Sequence, residues 1–302
     1  MDTRNLLAQR SRAQRPAAPN PALFLFAALC CAAGVAVTYW FFVRTTTGQL
    51  ADESAFQEAE LIAAGNHLPV ISFLDNLPLI SVFIAGIVVV FVSILRQRLS
   101  PAVIALGTFA AANISSQLLK RLVLDRPDRG VLTLDFNSLP SGHTTLAASA
   151  AAAVFLLAAP RWRPLAAFWG GCYAILAGAA TFLNSWHRPA DVVASLLVVS
   201  AWTLIGGLVM MRTNPEWNLW PASGRGQGTA RAVTLLCAIP GTLAALASLG
   251  LYFYARWDAA PIATAAPLYF WAGLALIAGV GLLISALACW LFSQQAGDPA
   301  RR

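Results

Sequence analysis

Long apolar runs interrupted by short polar stretches set the pattern of this chain. Eight runs approach the roughly 20 residues that cross a bilayer's hydrocarbon. They are 22–43, 77–95, 101–119, 143–159, 165–185, 190–211, 232–255 and 267–292. Each predicts a helix, because backbone groups in lipid must find their partners within their own segment. The expected fold class is all-α, a polytopic membrane helical bundle. Two polar breaks stand out. Leu139-Pro140-Ser141-Gly142-His143-Thr144 precedes the fourth run, and Asn184-Ser185-Trp186-His187-Arg188-Pro189-Ala190-Asp191 precedes the sixth. They hold two of the chain's three histidines. The third, His67, stands alone in a polar loop and reads as solvated.

Composition agrees with a bilayer setting: 58% of residues are hydrophobic and only 11% charged, against about a quarter charged in soluble domains. The net charge of +7 would suit a nucleic-acid partner, but its distribution excludes that reading. With a cytoplasmic N-terminus, 13 of the 20 basic residues fall in inner tails and loops, as the positive-inside rule requires. This places both termini in the cytoplasm of an inner (plasma) membrane protein and both polar breaks on the outer face. The outer loop 120–140 is itself basic, which calls for a function. The five cysteines fall within apolar runs and lack metal-ligand spacing, so they read as packing residues.

The chain divides into a disordered cytoplasmic tail (1–21), a six-span core (22–211), a cytoplasmic linker rich in Gly, Trp, Pro and Arg (212–231), a two-helix hairpin (232–292) and a cytoplasmic tail (293–302). In the outer segment, 51–64 suggests a short surface helix, with Phe56 and Leu61 among its few large apolar residues. Pro240 is placed to kink the seventh span, and the Ala275–Gly279 step suits helix packing.

On this topology Lys120, Arg126, Ser141, His143, His187 and Asp191 all emerge at one surface. Ser141 can cap the helix that follows, and Gly142 lets another group approach the backbone. Free N–H groups at a helix start favour an anion. Lys120, the only lysine in the chain, and Arg126 add positive charge suited to phosphate. His187 and Asp191, four residues apart, share a face if Pro189 opens a helix. A carboxylate on one imidazole nitrogen leaves the other nucleophilic, and His143 can act as general acid. Either motif alone is equally a capping turn or a structural hydrogen bond. Two rival classes remain open at this stage. One is a metal site built from His143, His187 and Asp191; the other is a non-enzymatic lipid-phosphate binding or transport protein.

These residues resemble the type 2 phosphatidic acid phosphatases, or lipid phosphate phosphatases. The family's Lys-to-Arg-Pro motif is matched by Lys120 and Arg126-Pro127, its Pro-Ser-Gly-His by Pro140-Ser141-Gly142-His143, and the end of its third motif by His187 and Asp191. The resemblance covers roughly 22–211. It implies a six-helix phosphatase-like core acting on a lipid-linked phosphate without cofactor or metal. It assigns His187 as nucleophile, Asp191 as its orienter and His143 as acid, with Lys120, Arg126, Ser141 and Gly142 binding phosphate. This sequence departs from the pattern twice. Five residues, not six, separate Lys120 from Arg126, and Ala180-Thr181 replaces the third motif's Ser-Arg. One phosphate cation is thus missing, with Arg129 and Arg188 as candidate substitutes, and a weakly active member is the alternative reading.

Overall fold

Polar caps and prolines fix where the helices begin. The computed structural model describes residues 20–65, 80, 82–83, 86–87, 90, 99–132, 136–220, 226–257 and 266–297. Asn20 accepts a hydrogen bond from Ala22 N at 3.0 Å and opens α1 (Pro21–Arg44). After a single residue the chain starts α2 (Thr46–Gly65). Next come α3 (Ser100–Leu118), closed by a π-helical turn Leu119–Val123, and α4 (Gly142–Leu157). Then follow α5 (Arg163–Leu183), α6 (Pro189–Thr213), α7 (Gln227–Trp257) and α8 (Leu268–Gln294). The described residues form a polytopic helical bundle, and six of these helices are long and apolar enough to cross a membrane.

Most predicted spans begin and end within a few residues of these helices. In the run 77–95 the six described residues are helical; the remainder, like His67 and the tails 1–19 and 298–302, lies outside the described residues. Two expectations need correction. The fourth span is a helix of only 16 residues, about 24 Å long and short of the ~30 Å hydrocarbon. The 51–64 stretch is not a surface helix: α2 runs 20 residues and buries Gln49, Asp52, Glu53 and Glu58. Pro240, the residue expected to kink the seventh span, lies within the 31-residue α7.

Helix α6 is the centre of the bundle. Of its most apolar window 72% is buried, against 22–39% in the other long helices. At one end of the bundle, Asn20 N bonds to Gln295 Oε1, and Arg163 lies 4.0 Å over the Trp217 ring. That packing draws the first residues of the predicted linker into the core, with Trp217 and Trp220 both buried. The hairpin α7–α8 is tightly apposed: a Cβ on Gly279 would lie 2.9 Å from Ala245 N, which accounts for the small-residue step there. Helix α8 also reaches α6, because the Pro189 ring stands where a Cβ on Gly273 would be, at 2.6 Å.

Candidate active site

The end opposite Asn20 carries both polar breaks. Ser141 accepts a hydrogen bond from Thr144 N through its side chain at 3.3 Å, so it caps α4. Its N–H donates to Asp191 O at 3.0 Å, and its carbonyl accepts from Ser195 Oγ at 2.8 Å. These bonds staple the start of α4 to the start of α6. His143, exposed on α4's first turn, is thereby set against His187, with ring centroids 6.4 Å apart.

His187 belongs to the turn between α5 and α6. Ser185, with φ 53°, takes the left-handed conformation that reverses the chain. The Thr181 carbonyl then receives the N–H groups of Trp186 and His187 at 3.0 and 3.2 Å. Pro189 opens α6, and Asp191 accepts from Arg188 N at 3.1 Å, closing its first turn. The same Asp191 oxygen lies 3.0 Å from His187 Nδ1. Both side chains are buried, and the turn capped at Arg188 brings His187, just ahead of the helix, onto Asp191.

The basic residues come from α3 and the loop after it. Lys120 is half-buried in the π turn, and Lys120 and Arg126 both lie within electrostatic reach of Asp191. The Arg126 loop is fixed on either side. Asp125 accepts from Tyr39 Oη at 2.6 Å and pairs with Arg44 at 2.7 Å, while Gln49 Nε2 donates to Pro127 O at 2.9 Å. Hydrogen bonding to Tyr39 holds the Asp125 carboxyl below its usual range. Between these anchors all three guanidinium nitrogens of Arg126 are buried with no hydrogen-bond partner. Burial, then the charge of Arg188, lowers the Arg126 pKa; Asp52, Asp191 and Glu53 oppose that shift.

The two candidate substitute cations have different fates. Arg188 is 1% exposed; its Nε and Nη2 donate to Glu53 Oε2 at 2.8 and 2.7 Å, and its Nη1 to Ser138 Oγ at 3.2 Å. Its charge is met by Glu53. Arg129 is exposed in the loop, with its carbonyl facing Thr46 Oγ1 at 3.5 Å. Thr181, at the place of the missing arginine, is buried and returns its hydroxyl to Gly178 O at 2.8 Å.

Sequence reasoning missed the part played by α2. Asp52 Oδ1 accepts from Ala190 N at 3.0 Å, and Glu58 Oε2 from Phe270 N at 2.7 Å. One helix thus caps the starts of both α6 and α8, where free N–H groups and the helix dipole favour carboxylates. Burial, and next the charge of Asp191, push the Asp52 carboxyl up to about 7. Burial also raises Glu58. Trp186, whose ring centroid lies 5.1 Å from that of His143, is a further missed neighbour. Among the described residues, no group of three or more His, Cys, Asp or Glu is placed to hold a metal ion.

Fold and site together define an integral membrane protein of the helical-bundle class with a buried histidine–carboxylate pair beside clustered cations. Residues 77–216 match the PAP2 superfamily, a superfamily of phosphatase-type hydrolases. No curated protein and no solved structure matches the chain.

Proposed function

We propose that the protein is a phosphatase that hydrolyses a lipid-linked phosphate or diphosphate at the outer membrane face through a phosphohistidine intermediate. One observation carries this reading: the buried His187–Asp191 pair faces His143 beside an Arg126 guanidinium that has no hydrogen-bond partner. With Nδ1–H donated to Asp191, His187 Nε2 keeps its lone pair for attack at phosphorus. The bond from phosphorus to the leaving oxygen breaks as the P–N bond forms, and His143 protonates that oxygen. Water then attacks the phosphohistidine, His143 takes its proton, and the P–N bond breaks to release phosphate. Arg126 and Lys120, with the N–H groups at the start of α4, stabilise charge on the transferring group. The third-motif arginine is absent, so Arg126 bears more of that work here.

The test is phosphate release from a panel of lipid phosphates by the purified protein, with an alkaline detergent quench assay for labelled protein. Wild type should release phosphate and carry an acid-labile, base-stable label, and His187→Ala should do neither. Equal release by the two overturns the mechanism.

A further inference from the structure

At the site's end of the bundle, α1, α2, α7 and α8 surround a groove of about 1070 Å³, its open side included. Ala245, Leu249 and Phe253 of α7 line one wall, and Ala51 and Asp52 of α2 line another. Leu249 and Phe253 are more than half exposed, so the groove opens on the lipid-facing flank. From Ala245 to Arg256, α7 rises about 16 Å, roughly half of the ~30 Å hydrocarbon. The groove is therefore about as long as one leaflet is thick, on a helix apolar enough to cross a membrane.

Its two ends differ in chemistry. At the mouth, exposed Arg256 donates to Tyr252 Oη at 3.3 Å, placing a cation and a phenol at headgroup level. At the inner wall stand Pro189 and Asp52. Asp52 holds Ala190 N, so this wall is the first turn of α6, two residues beyond His187. The second carboxyl oxygen of Asp52 is buried without a hydrogen-bond partner.

We propose that this groove holds a hydrocarbon chain of the lipid-linked substrate while its phosphate sits at His187. The proposal rests on the phosphatase reading above and adds to it a specificity site. An apolar trough about as long as one leaflet is thick, open to lipid and ending against the turn that carries His187, fits a chain that stays in the bilayer during the reaction. Helices α7 and α8 lie outside the residues that match the superfamily, so chain selection is a feature this protein builds from its own C-terminal hairpin.

The experiment uses the full chain in lipid nanodiscs. It compares kcat/KM for a long-chain phosphatidic acid with that for a water-soluble aryl phosphate. Ala245→Trp fills the groove from within, and Leu249→Trp narrows it from an exposed position that does not threaten folding. Each should lower the ratio of the two values about tenfold, the effect of a methylene or two left unburied. An unaltered ratio in both variants overturns the proposal. A second readout needs no turnover: phosphatidic acid bearing a diazirine in its tail should label α7 within 245–256, and both variants should lose that label. Labelling elsewhere overturns the groove even if phosphate release is normal. Absence of any hydrolysis by wild type would instead defeat the phosphatase reading, with labelling still deciding the groove.

Discussion

Glu53 and Arg188 form a buried ion pair in which two guanidinium nitrogens converge on one carboxylate oxygen, at 2.8 and 2.7 Å. The Arg188 guanidinium carbon also lies 5.1 Å from the centre of the Phe56 ring. The pair bolts α2 to the residue that follows His187. Removing one partner strands the other in the interior, at a cost of about 3–5 kcal/mol. Glu53→Ala should lower the thermal midpoint in detergent and reduce activity, and Glu53→Gln, which keeps an acceptor, should lose less. Full stability in Glu53→Ala would show that α2 does not hold the turn.

In the proposed mechanism Asp191, 3.0 Å from His187 Nδ1, fixes the tautomer of that ring. Asp191→Asn keeps the shape but offers no carboxylate to the ring, so kcat should fall about 10²–10⁴-fold. KM should move much less. Steady-state kinetics on any hydrolysed lipid phosphate decide this, and a drop confined to KM would contradict the assignment.

In the proposed mechanism Arg126 takes the phosphate; its nitrogens are buried and its loop is pinned at Asp125 and Pro127. Arg126→Lys keeps the charge but not the planar fork. It should cost about 10²–10³ in kcat, in line with loss of one preorganised donor, and should weaken inhibition by inorganic phosphate. The equivalent change at exposed Arg129 should leave phosphate inhibition close to wild type.

The Asp52 carboxyl, pushed up to about 7 by burial and the charge of Asp191, makes stability depend on pH. Its folded pKa exceeds the unfolded value near 3.9, so the folded state holds the proton more tightly. The resulting stabilisation is complete below about pH 4, declines as pH rises, and is gone above about 7. Asp52→Asn cannot titrate. The thermal midpoint of wild type minus that of Asp52→Asn should therefore fall across this window and then level off; a constant difference would refute the linkage.

Helix α8 meets the site directly at Gly273. A Cβ there would lie 2.6 Å from Pro189 Cγ, so Gly273→Ala must shift α8 or the first turn of α6. Overpacking of this kind costs about 1–3 kcal/mol. Activity should fall together with the thermal midpoint, although Gly273 lies outside the superfamily-matched residues.

The apolar runs announce the bundle because each helix in lipid must be apolar along its length. Ser141 and Pro189 mark the starts of α4 and α6 because caps and first-turn prolines act through local backbone chemistry. The contact between His187 and Asp191 follows from their spacing once Pro189 opens a helix. Asp52, Glu53 and Glu58 were opaque for the opposite reason. Their partners are Ala190, Arg188 and Phe270, more than 130 residues away, and a polar stretch that caps distant helices has the composition of one facing water. Arg188 illustrates the same limit: its charge is plain in the sequence, but its commitment to Glu53 exists only in the fold.

Glu58 has a consequence for how the chain assembles. Its buried carboxylate is met by Phe270 N, and Phe24, near the start of α1, packs on Phe292 with ring centroids 5.0 Å apart. During synthesis α1 and α2 are made long before α8. Until then Glu58 has no Phe270 N–H to meet, and Phe24 has no Phe292 to pack on. Closure of the bundle thus awaits its most C-terminal described helix, and a nascent chain stalled before α8 keeps an open seam beside the turn that bears His187.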